Sequence, residues 1–196
     1  MRVIVTGGSG RLGQAVVREL FTHGHQLAVL DLTKPRECVC PTYPIDLSKM
    51  QALEQNFKSI DGVVHLARQR FPYTETGFNP EMQRWADPLG DAERFNLNVA
   101  ITSNVLAVAQ AAGVKKIVCG SSLAVYGFYY PLTGVQADYL PVDEAHPLKP
   151  QDPYGLTKLV GEKLCDAAAA KGDIQIASLR FSGIYTEAHR GLLSER

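Results

Sequence analysis

Apolar residues along this chain fall into two rhythms. Short runs with few polar interruptions, Val3-Ile4-Val5, Gln26–Asp31, Gly62–Leu66, Lys116–Cys119 and Ile174–Leu179, read as strands buried on both faces. Thr42–Ile45 adds a short third strand between Pro41 and Asp46. Between these runs the apolar positions recur at helical spacing over Leu12–Phe21, over a segment capped by Ser48 and reaching Phe57, over about Ala92–Ala112, and from Asp152-Pro153 to about Lys171. Gly24 and Gly113 stand as stops where two of these helices end. Two stretches keep no period. Residues 68–90 carry Pro72, Gly77, Pro80 and Pro88 and read as a long loop over a site; residues 127–151 form a second excursion containing Pro and Gly. Strand and helix otherwise alternate from end to end. That pattern predicts one α/β domain over 1–196, a parallel sheet covered by helices on both faces. Right-handed crossovers give the doubly wound strand order 3-2-1-4-5-6.

The junction of the first strand and first helix is where chemistry enters. Thr6-Gly7-Gly8-Ser9-Gly10-Arg11-Leu12-Gly13 sets glycines at every third position between a strand and a helix. A diphosphate can lie against bare N–H groups at such a helix start, where the dipole favours negative charge and a Cβ would obstruct approach. The spacing is looser than the G-x-G-x-x-G of dinucleotide-binding dehydrogenases, and an ordinary strand–helix turn would also use glycine. Asp31 closes the second strand, where a carboxylate can accept both hydroxyls of a ribose and repel a 2′-phosphate; Lys34 and Arg36 partly offset that repulsion. Tyr154 and Lys158 stand four apart at the start of the last helix and so share a face. A phenol acting as a base near neutrality needs its pKa lowered by about three units, roughly 4 kcal/mol. An adjacent ammonium is the right kind of perturber. Ser121-Ser122 follow the fifth strand on the edge where open parallel sheets place ligands, although serines at a strand end are otherwise common.

Composition removes several alternatives. The formal net charge is zero, which gives no electrostatic argument for a nucleic-acid partner or an anionic membrane. No apolar run reaches the length of a membrane span, and Met1 leads straight into a strand rather than a leader; a soluble, cytoplasmic protein is expected. Among the four cysteines, Cys38, Cys40, Cys119 and Cys165, only the first two are close, and C-x-C without neighbouring ligands is poor metal spacing, so no metal is expected and the thiols are read as reduced. His65 closes the fourth strand and reads as a packing or supporting residue; His146 and His189 fall in loops and receive no role.

Taken in order, these motifs resemble the extended short-chain dehydrogenase/reductases, the NAD-dependent epimerase/dehydratase family. Thr6–Gly13, Asp31, Asp46-Leu47, His65-Leu66-Ala67, Asn98-Val99, Ser121–Gly127, Tyr154-x-x-x-Lys158 and Leu179-Arg180-Phe181 carry the resemblance, which runs from Val3 to about Tyr185. It implies a Rossmann-type fold and NAD as cofactor, with NADP disfavoured by Asp31. It further implies Gly7, Gly10, Arg11, Leu12 and Gly13 at the diphosphate, Asp31 at the ribose, and Asp46 and Leu47 on the adenine side. Leu66, Ala67 and Asn98 would line the cofactor path. Ser122 would bind the reacting oxygen, Tyr154 would be the acid/base, and Lys158 would hold the nicotinamide ribose and lower the Tyr154 pKa.

Departures from the family pattern narrow the reaction. Nucleotide-sugar dehydratases carry Asp-Glu where this chain has Leu123-Ala124, which cannot transfer protons, and the deoxymannose epimerase-reductases place a Cys at Ala124. The expectation is an epimerase that oxidises and re-reduces one carbon of a sugar or nucleotide sugar. The alternatives are a sugar or uronate dehydrogenase releasing a ketone or lactone, and a non-catalytic NAD-binding sensor or scaffold. Family members continue past the Arg180 strand into a substrate-gripping region, so that region is expected to be short or missing here. A homodimer through the helices at about 92–112 and 152–171 is also expected from the resemblance.

Overall fold

Six parallel strands form the main sheet in the order β3-β2-β1-β4-β7-β8: β1 (Arg2–Thr6), β2 (Gln26–Asp31), β3 (Thr42–Pro44), β4 (Gly62–His65), β7 (Lys116–Ser122) and β8 (Gln175–Phe181). The expected doubly wound order is therefore observed. A separate two-stranded antiparallel hairpin, β5 (Tyr73–Thr74) with β6 (Gly77–Phe78), interrupts the stretch expected to be loop throughout. The computed structural model describes residues 1–35, 38–69, 73–74, 77–78, 90–128 and 136–185. Arg36, His189 and parts of the expected loops 68–90 and 127–151 lie outside the described residues.

The period of two along β1 decides which helix packs where. Val3 and Val5 point to one face and join Val17 of α1 (Arg11–Thr22) together with Leu27 and Val29. Ile4 points to the other face. There it meets a larger cluster with Leu53 of α2 (Met50–Glu54), Val105 and Ala109 of α3 (Asp91–Ala111), and Cys165 and Ala168 of α4 (Pro153–Ala170). Burying both faces is what the uninterrupted apolar runs require. No described helix is long and apolar enough to cross a membrane.

Two elements differ from the expectation, each for a local reason. Ser48 does not cap α2: Asp46 Oδ1 accepts both the Ser48 N–H at 2.9 Å and the Ser48 hydroxyl at 2.7 Å. That side-chain turn competes with helix, which starts only at Met50. Strand β7 runs on through Ser121 and Ser122, because β8 pairs with it as far as Ser122 opposite Phe181. The two serines are therefore the last residues of the strand rather than the first of a loop.

Candidate functional site

The glycine turn sits at the C-terminal end of β1, in the centre of the sheet. Gly7 has φ +71°, and a Cβ there would lie 2.6 Å from the Ala67 amide nitrogen, so the turn packs directly on the chain leaving β4. At Gly13 a Cβ would fall 2.2 Å from the Gly7 carbonyl oxygen. The helix can approach the turn only without a side chain at that position. Gly10 caps α1 with no side-chain hydrogen bond, and the first turn holds no acid. The N–H groups of Arg11, Leu12 and Gly13 precede the first intrahelical bond, from Gln14 N–H to the Gly10 carbonyl at 2.9 Å. That donor set fits a diphosphate by its chemistry. Arg11 adds a cation at the same end and donates to the Ile184 carbonyl at 3.3 Å.

Asp31 lies beside this turn, its Oδ2 accepting the Ser9 N–H at 2.9 Å and its Oδ1 the Thr33 N–H at 3.4 Å. Asp46 is occupied with Ser48 as described, and Leu47 is buried in the larger core, with its carbonyl accepting from the Asn104 side chain at 3.1 Å. Asn98 grips the chain beyond β4 with both ends of its amide. Oδ1 accepts the Gln69 N–H at 2.6 Å and Nδ2 donates to the Gln69 carbonyl at 3.0 Å. Leu66, Ala67 and Arg68 are thus held on one side by this clasp and on the other by the Leu66 N–H bond to the Thr6 carbonyl at 3.0 Å.

The second group of residues gathers at the end of β7 and the start of α4. Asp152 caps α4 by accepting the Gly155 N–H at 2.9 Å, and Pro153 occupies the first turn. A Cβ on Gly155 would meet the Ala124 carbonyl at 2.7 Å, so this close approach seats the helix against the turn over Leu123–Tyr126. Tyr154 and Lys158 line one cavity together with His65, Arg68, Asn98 and Ser121. Lys158 Nζ donates to the Gly120 carbonyl at 2.7 Å and stands 5.9 Å from the centroid of the Tyr154 ring. Burial, and then the positive charge of Arg68, push the Lys158 pKa down to about 7. Ser122 is buried, and its Oγ accepts the Ala124 N–H at 3.2 Å, which leaves the hydroxyl hydrogen for another acceptor. Ser121, not Ser122, lines the cavity, and its hydroxyl donates to Glu162 Oε1 at 2.5 Å.

Three features here were absent from the sequence reading. Glu162 is buried and forks with Arg180, at 3.0 Å from Nε to Oε1 and 2.8 Å from Nη2 to Oε2. Arg180 also donates to the Tyr126 hydroxyl at 2.9 Å, and that hydroxyl donates to the Asp143 carbonyl at 3.0 Å. Glu162 stands one turn beyond Lys158 on α4, a spacing that signals a shared face. The second feature is Arg68, whose guanidinium carbon lies 4.9 Å from the centroid of the Tyr154 ring. The third is a pair of buried thiols behind Lys158, with Cys165 Sγ 3.3 Å from Cys119 Sγ. His65 serves as a structural link: Nδ1 lies 2.7 Å from the Thr6 hydroxyl and Nε2 3.3 Å from that of Thr102. Burial and then the charge of Lys158 lower its pKa to about 3, so it is neutral near pH 7 and unsuited to acid/base work there. Among the described residues no cluster of three or more His, Cys, Asp or Glu could hold a metal.

The profile of the NAD dependent epimerase/dehydratase family matches residues 3–194. The UDP-glucose 4-epimerase of Lacticaseibacillus casei is 29% identical over 202 residues, covering 100% of this chain and 55% of its own length. Among solved structures, a short-chain dehydrogenase/reductase superfamily protein from Agrobacterium tumefaciens with bound NAD superposes with TM-score 0.75 at 34% identity, covering 93% of this chain and 49% of that one. A UDP-galactose 4-epimerase superposes with TM-score 0.72 at 31% identity, over 92% of this chain and 55% of the other. The chain spans about half the length of the curated relatives it matches.

Proposed function

The chain belongs to the NAD-dependent epimerase/dehydratase family. On that premise we propose that it binds NAD across the glycine turn and acts as an oxidoreductase or epimerase on a secondary alcohol of a sugar or nucleotide sugar. NAD supplies the hydride acceptor and donor. The N–H groups of Arg11, Leu12 and Gly13 hold its diphosphate, and Asp31 exchanges its Ser9 contact for the hydroxyls of the adenosine ribose. That carboxylate would repel a 2′-phosphate, which favours NAD over NADP.

The chemistry is carried by Tyr154 and Lys158. Tyr154 takes the proton of the substrate hydroxyl as the carbinol carbon gives up hydride, and returns it when the carbonyl is reduced. Lys158, held on the Gly120 carbonyl, would bond the nicotinamide ribose. Ser122 donates its remaining hydroxyl hydrogen to the reacting oxygen. Leu123 and Ala124 offer no proton-transfer group, so the reading is epimerisation or net oxidation rather than loss of water. The names of the relatives support a nucleotide sugar. The observation that carries the reading is that Tyr154 and Lys158 line one cavity at the sheet edge that also holds the glycine turn.

Calorimetry with NAD and NADP, followed by UDP-hexoses and free sugars monitored for reduced nicotinamide and for the epimeric product, tests it. NAD should bind more tightly than NADP, with one or both products appearing. Absence of cofactor binding, or NAD binding with neither product across the panel, would refute the enzymatic reading.

A further inference from the structure

Arg68 is the residue whose placement the reaction above does not use. It follows Ala67 at the edge of β4, and the Asn98 clasp on Gln69 fixes the backbone on its far side. Its side chain is exposed at the mouth, yet the guanidinium lies over the Tyr154 ring, 4.9 Å from the centroid, and lines the same cavity as Lys158. Among the described residues it pairs with no carboxylate.

Among the described residues the charges around this cavity do not balance. Arg68 faces it as a cation, and Lys158, its pKa about 7, adds a second positive charge whenever it is protonated. Glu162, the acid among the cavity's lining residues, is already forked onto Arg180 and bonded by Ser121. His65 adds no negative charge, and Asp31 sits at the other end of the site beside Ser9. An oxidised nicotinamide brings a further positive charge. A neutral hexose offers only hydroxyls against this excess. A carboxylate matches both the charge and the planar fork of a guanidinium. The cofactor diphosphate does not meet the need, because its donors are at the start of α1, where Arg11 stands.

We infer that Arg68 selects an acidic sugar, receiving a carboxylate carried on the ring whose secondary alcohol faces Tyr154. The inference rests on the oxidoreductase reading for the orientation of the substrate, but the binding step can be tested apart from turnover. The contact with the Tyr154 ring keeps the guanidinium beside the reacting atoms, and its exposure lets it move to an incoming anion.

The test is calorimetry on the NAD-loaded protein with pairs differing only in the carboxylate: UDP-glucuronate against UDP-glucose, and glucuronate against glucose. The acidic member of at least one pair should bind about tenfold more tightly or better, and the pair that responds identifies the carrier. Arg68→Gln should erase that preference without changing NAD affinity, and Arg68→Lys should keep part of it. Equal affinities, a preference that survives Arg68→Gln, or binding of neither member overturns the inference. Turnover is read in parallel. An Arg68-dependent preference without reduced nicotinamide or epimer would sink the oxidoreductase reading and leave the role of Arg68 standing. Equal affinities together with turnover of both members would do the reverse.

Discussion

The half of the molecule built from β1, α1 and β2 offers a ligand its backbone, whereas the half built from β7, α4 and β8 offers side chains. In the first, Gly7, Gly10 and Gly13 keep Cβ atoms away from a helix start, and Asp31 is the main polar side chain beside them. In the second, Ser121, Glu162, Arg180 and Tyr126 form a continuous hydrogen-bonded chain beneath Tyr154 and Lys158. Binding a diphosphate needs only correctly pointed N–H groups and space. Moving a proton needs side chains held to within a fraction of an ångström, and that requires a supporting shell.

Substitutions can break this contrast from either side. The largest effect is expected at Lys158, whose pKa falls from 10.5 to about 7 in the fold. Between those values the unfolded chain binds a proton that the ligand-free native state does not. This group therefore makes stability rise as pH rises from about 7 towards 10.5, and its penalty is fully present below about 7. The full span is on the order of 4–5 kcal/mol. Urea unfolding across that range should show the slope in the wild type and lose it in Lys158→Met. Next comes Arg180→Met, which leaves the buried Glu162 carboxylate without its fork and should cost roughly 3 kcal/mol in the same assay. NAD affinity should hold, because the glycine turn is untouched. Gly13→Ala should do the opposite. With the new Cβ 2.2 Å from the Gly7 oxygen, a loss of about 1–3 kcal/mol in stability should come with a marked fall in NAD affinity by calorimetry.

The same contrast explains what could be read from residues alone. The strand order followed from alternation, because buried parallel strands need apolar runs and right-handed crossovers leave few arrangements. The glycine turn was legible because its constraint is local: a strand, a Cβ-free bend and a helix lie within Arg2–Thr22. Tyr154 and Lys158 were legible for the same reason, one helical turn apart. The fork between Glu162 and Arg180 was not, since α4 and β8 meet only in the folded sheet and either residue alone reads as a solvated charge. Arg68 was hidden because its partner is a ring 86 positions away in the chain, across the cavity. Ser48 failed as a helix cap because its hydroxyl is turned to Asp46, two residues before it, and the helix starts only at Met50.

The account stands or falls on Tyr154 as the group that moves the proton. The direct measurement mixes NAD-loaded protein with a responding sugar and follows the absorbance of reduced nicotinamide together with formation of the epimer. Tyr154→Phe keeps the ring and the helix but removes the hydroxyl, so NAD should bind as in the wild type while turnover drops by about 10²–10⁴-fold. Wild-type turnover in Tyr154→Phe, with cofactor binding unchanged, would contradict it.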